Sequence, residues 1–152
     1  MNVTDVMQRS VRICDTNTTL EKAGLSMWDG DCGALPVVDE SGRAVGIVTD
    51  RDIAMTAALN HKPLWEMKCG ELVGSRPLYT CQADDDVKQA VKTMWAQRVR
   101  RLPVIDGEGE LVGILSMDDI VASAERGSRG RLTPDLSYDD AMNALKAVVH
   151  HH

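Results

Sequence analysis

The sequence predicts an α/β fold made of two tandem β-α-β-β-α repeats with pseudo-twofold symmetry, followed by a C-terminal helix. Three observations carry this expectation. Leu35-Pro36-Val37-Val38-Asp39 recurs as Leu102-Pro103-Val104-Ile105-Asp106, and Val45-Gly46-Ile47-Val48 recurs as Val112-Gly113-Ile114-Leu115, both displaced by 67 (102 − 35 and 112 − 45). The same offset sets Cys14 on Cys81, Thr19-Leu20 on Asp86-Val87, Ala23 on Ala90 and Met27-Trp28 on Met94-Trp95. A fixed offset held over that span marks a duplicated supersecondary unit. Within each copy, short β-rich runs alternate with apolar residues at helical spacing, and turn residues stand at the changes.

In the first copy, Val11 to Cys14 reads as a short strand. Leu20, Ala23 and Met27 then share one helical face, after Thr18 and Glu21 in a capping-box arrangement. Ala34 to Val38 and Ala44 to Val48 form a hairpin around Asp39-Glu40-Ser41-Gly42, and Thr49 opens a helix to about Leu59. The second copy gives a strand near Leu78 to Cys81 and a helix from about Asp86 to Ala96, with Asp84-Asp85-Asp86 read as its acidic start. A hairpin turning at Asp106-Gly107-Glu108-Gly109 follows, then a helix from Ser116 to about Glu125. The organisation is thus residues 1–62 and 63–125 as repeats, 126–149 as linker and C-terminal helix, and 150–152 as a tag remnant. His61 to Gly70, with Pro63, joins the repeats, and Gly127-Ser128-Arg129-Gly130 is a flexible link. Ser137 and Asp140 form a further capping box, ahead of Ala141, Leu145 and Val148 on one helical face.

Composition narrows the class. A chain of 152 residues with 43% hydrophobic content can bury a core. A single copy of roughly 60 residues would be marginal on its own, so the copies are expected to share one. The net charge of −6 argues against a nucleic-acid backbone as partner. Met1 to Val11 lacks the apolar centre of a signal peptide, and no apolar run is long enough for a membrane span, which points to the cytoplasm. Cys14, Cys32, Cys69 and Cys81 lack Cys-x-x-Cys spacing and read as buried free thiols rather than metal or disulfide chemistry.

The segments Gly46-Ile47-Val48-Thr49-Asp50-Arg51-Asp52-Ile53 and Gly113-Ile114-Leu115-Ser116-Met117-Asp118-Asp119-Ile120 each place a hydroxyl residue at a helix start and Asp three positions on. Free N–H groups and the positive dipole end there favour a phosphate. A carboxylate one turn in can accept both hydroxyls of a ribose diol. Thr49/Asp52 and Ser116/Asp119 are equally close variants of a capping box, which needs no ligand. Pattern alone leaves both readings open.

The element order, the Leu-Pro-Val-(Val/Ile)-Asp strand, the Gly-hydrophobic-hydrophobic-(Thr/Ser)-x-x-Asp-Ile segment and the tandem duplication together resemble a cystathionine-β-synthase (CBS) domain pair, or Bateman module. The resemblance covers about Val3 to Glu125, with Thr4-Asp5-Val6-Met7 similar to the start of the first repeat. It implies a regulatory module whose clefts between the repeats take adenosine ligands: AMP, ADP or ATP, less often S-adenosylmethionine or NAD. The ribose role carries onto Asp52 and Asp119, and the supporting role onto Thr49 and Ser116. Residues just before the Leu-Pro-Val strand also line such clefts, here Cys32, Gly33 and Ala34 against Val99, Arg100 and Arg101. Ile13 and Thr80 are further candidates as walls for the base. Because Arg101 matches Ala34, the site with Asp119 is expected to hold phosphate better, unless Arg51 supplies the missing charge. The resemblance further implies a homodimer through helices, to which Met27, Trp28, Met94 and Trp95 would contribute.

Catalysis has little to stand on. Gly107, Gly109 and Gly113 miss the dinucleotide spacing, no phosphate-loop motif occurs, and His61 is the one histidine outside the tag remnant. The sequence therefore reads as a sensor without an enzymatic step and with an unidentified protein target. The alternative is a ligand-free dimerisation module in which the capping boxes serve structure alone.

Overall fold

The structure, a computed structural model, describes residues 1–125 and 135–149. The expected link at Gly127–Gly130 and the tag remnant at 150–152 lie outside the described residues. Two similar three-stranded sheets form because each copy supplies one strand apolar on both faces and two shorter or alternating ones. In the first sheet, β2 (Ala34–Val38) lies between β1 (Cys14–Asp15) and β3 (Ala44–Thr49), parallel to the former and antiparallel to the latter. All five residues of β2 are buried. β1 pairs with Val37 and Val38 alone, so Pro36, which has no N–H to give, stands outside that ladder. The second sheet repeats the order with β4 (Cys81–Gln82), β5 (Arg101–Ile105) and β6 (Leu111–Ser116).

Both outer strands start later than the sequence predicts: Val11 to Ile13 and Leu78 to Thr80 lie ahead of β1 and β4, outside the ladders. The helices are α1 (Leu20–Asp29), α2 (Asp50–Asn60), α3 (Val87–Gln97), α4 (Met117–Ser123) and α5 (Tyr138–Val149). α1 is capped one residue later than expected, by Thr19, whose hydroxyl accepts from Lys22 N–H at 3.2 Å. Thr18 is engaged elsewhere, since its N–H goes to Asp15 Oδ1 at 2.9 Å. The acidic run at 84–86 lies before α3 rather than in its first turn: Asp85 Oδ2 accepts from Gln82 N–H and Asp86 Oδ1 caps Lys88 N–H, each at 2.8 Å. α1 and α3 both give way to a left-handed residue at the duplicated offset, Asp31 (φ 48°) and Arg98 (φ 55°).

The compact units are not the sequence-contiguous repeats. Ser10–Leu78 with Gly109–Leu111 form one, here the N-terminal unit. Met1–Arg9, Tyr79–Glu108 and the described residues from Val112 onward form the other, the C-terminal unit. A short 3-10 turn makes the difference in each. Val3 N–H reaches Asp85 O and Thr4 N–H reaches Ala83 O, both at 2.9 Å, which fixes the first residues of the chain to the second repeat. Equivalently, Cys69 N–H reaches Thr18 O at 2.8 Å and Gly70 N–H reaches Thr16 O at 2.9 Å, which fixes the linker to the first. These turns are related by 66 residues (69 − 3), one fewer than the repeats. Val3 and Cys69 are fully buried at their centres.

The expected single shared core is corrected by this arrangement. Buried apolar side chains form two clusters, one around Leu20, Leu35, Val37, Val48, Met67 and Cys69, the other around Val3, Leu102, Val104, Leu115, Ile120 and Leu136. Each repeat escapes the marginal size of a 60-residue unit by adding a strap from outside its own span. The C-terminal unit also adds α5, which lies against α3 and α4. Its cap forms as predicted, with Asp140 N–H on Ser137 Oγ at 3.1 Å and Ser137 N–H on Asp140 Oδ2 at 2.9 Å. The buried face is Ala141, Ala144 and Val148, while Leu145 is half-buried.

Candidate functional site

Of the residues singled out in the sequence, Gly33, Ala34, Thr49, Arg51 and Asp52 fall at one strand-to-helix junction and Arg100, Arg101, Ser116 and Asp119 at another, while Ile13 and Thr80 lie ahead of β1 and β4. At the first, β3 ends and α2 begins on Thr49, whose extended backbone (ψ 162°) leaves its hydroxyl to accept Asp52 N–H at 3.1 Å. Asp52 Oδ2 accepts Thr49 N–H in return at 3.0 Å, closing the capping box. Ala34, buried, pairs across the sheet with Thr49. Gly33 O accepts Asp50 N–H at 3.0 Å, and a Cβ on Gly33 would stand 3.2 Å from Asp50 Oδ2, so the absent side chain makes room for that carboxylate. Arg51 is exposed in the first turn of α2, and Ile13 is exposed just ahead of β1.

The second junction joins β6 to α4. Asp119 N–H goes to Ser116 Oγ at 3.2 Å, and Asp119 Oδ2 accepts both Ser116 N–H at 2.8 Å and Ser116 Oγ–H at 2.6 Å. Arg100 O accepts Met117 N–H at 2.9 Å, which sets the start of β5, and with it half-buried Arg101, beside Ser116. Arg100 itself is exposed, and Thr80 is half-buried ahead of β4.

Two residues that the sequence reading passed over sit on these carboxylates. Arg76 Nη2 donates to Asp52 Oδ2 at 2.7 Å, and Gln8 Nε2 donates to Asp119 Oδ1 at 2.9 Å. Both follow the 3-10 turns that complete the units. The duplication gave no hint of them, because its offset pairs Gln8 with Ser75 and Arg76 with Arg9. Partly buried Asp52 (side chain 20% exposed) thus carries a cation, while Asp119 carries a neutral amide.

Two concavities lie elsewhere. A cleft of about 590 Å³ in the N-terminal unit is walled by Met27, Trp28, Cys32, Gly33, Asp50 and Ile53. Thr49 and Asp52 are not among its walls, while Cys32 and Gly33, both expected to line a ligand cleft, are. Another, of about 570 Å³ between α3 and α5, has Lys88, Lys92, Trp95 and Lys146 on its walls. All four cysteines are free thiols: Cys14, Cys69 and Cys81 are buried as expected, and Cys32 is exposed. A hydrogen bond shared with Cys69, with burial adding to it, holds the Cys14 thiol well above its ordinary range. Burial, helped by Asp85, pushes Cys81 up to about 12.

Among the described residues, no helix is long and apolar enough to cross a membrane, and no group of three or more His, Cys, Asp or Glu side chains is placed to hold a metal ion. A protein of Bacillus subtilis, YlbB, is 31% identical over 91% of this chain and 93% of its own length. The Methanopyrus kandleri protein MK0525 is also 31% identical, over 80% of this chain, which spans 61% of that relative's length. Among solved structures, Hypoxic Response Protein I with two coordinated zinc ions is 30% identical at a TM-score of 0.74, covering 82% of this chain and all (100%) of that one. The CBS domain pair of MJ0100, in complex with 5'-methylthioadenosine and S-adenosyl-L-methionine, is 28% identical at a TM-score of 0.68, covering 80% and 94%. CBSX2 in complex with AMP is 25% identical at 0.67, covering 80% and 93%. The family model of the CBS domain matches residues 3–58 and again 69–126, so the chain belongs to the CBS domain family and carries two copies of the domain.

Proposed function

We propose that this chain is a cytoplasmic regulatory module that binds an adenine nucleotide, AMP, ADP or ATP, at its strand-to-helix junctions and carries out no reaction itself. The observation that carries the reading is the paired junction: at each, a carboxylate one turn into a helix is fixed by a hydroxyl residue's N–H. The hydrogen bonds from Thr49 N–H and Arg76 to Asp52 fall on Oδ2, so a ribose diol held by both carboxylate oxygens would take Oδ1 and compete with Arg76 for Oδ2. Thr49 and Ser116 assist at the ribose or phosphate. Gly33, Ala34 and the Arg100–Arg101 segment line the ligand, Ile13 and Thr80 flank the base, and Arg101 or Arg51 meets the phosphate. The complexes of MJ0100 and CBSX2 with adenosine compounds support the ligand class. Enzymes among the relatives support regulation, since the match to homoserine O-acetyltransferase of Methanohalophilus mahii spans 26% of that protein.

Calorimetry against AMP, ATP, S-adenosylmethionine and NAD tests the reading. Asp52→Ala and Asp119→Ala are each expected to weaken nucleotide binding by about 1.5–3 kcal/mol, the range for a hydrogen bond to a charged group. Unchanged affinity in the double variant rules the junctions out.

The second reading is assembly, a homodimer through helices, and one observation favours it. On the N-terminal unit Trp28 is 84%, Leu59 73% and Trp65 62% exposed. Met27 and Met94 are core residues and drop out of that face. A monomeric mass by light scattering at micromolar concentration would count against a dimer.

A further inference from the structure

Duplication has made Asp52 and Asp119 equivalent, yet their partners differ in charge. Asp52 is held by the guanidinium of Arg76 at 2.7 Å, and Asp119 by the amide of Gln8 at 2.9 Å. At the position matching Arg101, the first junction has Ala34, which brings no cation. We propose that Arg76 is the residue that makes the N-terminal junction selective for phosphorylated adenosine ligands, exchanging Asp52 for the ligand's phosphate when the ribose takes the carboxylate. This rests on the adenosine reading above.

The exchange follows from what each ligand offers the guanidinium. Arginine stays charged at all relevant pH and presents several N–H donors in one plane, suited to a phosphate. In Arg76 one of these is committed to Asp52, and the side chain is 64% exposed, free to swing without disturbing the core. An adenosine without phosphate must compete with the ion pair for Asp52 and leaves the guanidinium with no anion in return. AMP competes for the same carboxylate but supplies a replacement anion of higher charge. At the second junction a ribose displaces a neutral amide, so no such discrimination arises from Gln8, and any phosphate preference falls to Arg101. With its Arg76 side largely in solvent, the Arg76–Asp52 pair contributes little to stability on its own account, which leaves its geometry open to this use.

The test is calorimetry of AMP and of adenosine on the full chain carrying Asp119→Ala, which isolates the first junction, with and without Arg76→Ala. The expected result has opposite signs: AMP affinity falls roughly tenfold as a charge-assisted contact is lost, while adenosine affinity holds or rises. Arg76→Lys is expected to restore part of the AMP preference but not all, lacking the planar fork. Equal loss of both ligands, or an unchanged AMP-to-adenosine ratio in Arg76→Ala, overturns the proposal while sparing the adenosine reading. Failure of the unsubstituted chain to bind either ligand removes the adenosine reading, and the role of Arg76 with it.

Discussion

The two units match residue for residue inside and differ outside. Buried residues correspond at the duplicated offset, Leu35 with Leu102, Val37 with Val104, Val48 with Leu115 and Met27 with Met94. On the outer helices the match fails: Glu21 faces Lys88 in the comparison, and Leu25 faces Lys92. In the C-terminal unit, α5 lies over α3 and α4 and adds Ala144 and Val148 to the core, joined by Leu136 just ahead of it. Among the described residues, α1 and α2 of the N-terminal unit have no helix like α5 over them, and Trp28 is 84% exposed against 56% for Trp95. Packing constrains every interior position at once, so duplication preserves it, whereas exposed positions are free to take on separate tasks.

The largest expected effect tests whether the segment leading into α5 belongs to the core of its unit. Leu136→Ala removes a side chain that is 1% exposed and is expected to cost about 2–5 kcal/mol in denaturant unfolding. Leu59→Ala, on the open face of the other unit and 73% exposed, is expected to stay within about 0.5 kcal/mol. Similar costs for the two would mean that the segment leading into α5 is an ornament of the C-terminal unit and the contrast is false.

A second, smaller effect compares the straps. A Cβ on Gly113 would stand 2.7 Å from Gln8 O and 2.9 Å from Met7 Sδ. That carbonyl cannot yield, because Gln8 is bonded in both directions to Ile114, at 2.9 and 3.0 Å. A Cβ on the matching Gly46 would stand 3.1 Å from Val73 Cγ2, a side-chain atom. Gly113→Ala is therefore expected to lose about 2–3 kcal/mol, and Gly46→Ala about 1 kcal/mol or less, since the stiffer unfolded chain offsets part of the crowding. Equal thermal shifts would show that the N-terminal strap is held no more tightly than the linker.

Much of this was legible in the sequence, and the omissions have physical causes. Central strands, hairpins and the caps at Thr49, Ser116 and Ser137 were readable because each depends on residues within a few positions of one another. The straps were not, since Val3 and Cys69 complete units far along the chain and nothing local marks the partner. The same holds for Gln8 and Arg76, whose meaning appears only when the turns bring them to Asp119 and Asp52. A shared core followed from size alone, and size cannot say that a repeat borrows its missing surface from outside its own span.

The smallest expected effect concerns how α5 is held, and it depends on pH. The Ser137 N–H, and then the Ser137 hydroxyl, hold the Asp140 carboxyl below its usual range, with nearby Lys88 acting in the same direction. A carboxylate whose folded value is depressed stabilises the fold above its unfolded value and loses that contribution as pH falls through the folded one. The contribution is therefore complete at neutral pH and fades below about pH 4, the ordinary value for Asp. Asp140→Asn keeps the shape and removes the charge, and at about pH 7 it is expected to cost about 0.5–1 kcal/mol, the scale of a helix cap. The gap in Tm between the two proteins should narrow as pH falls below the ordinary Asp range and close only below the depressed folded value, where both side chains are neutral. A gap that persists in acid would place the value of Asp140 in its shape rather than its charge. Because the first repeat has no counterpart of α5 among the described residues, Asp140→Asn should also leave the exposure of Trp28 to a fluorescence quencher unchanged while raising that of Trp95.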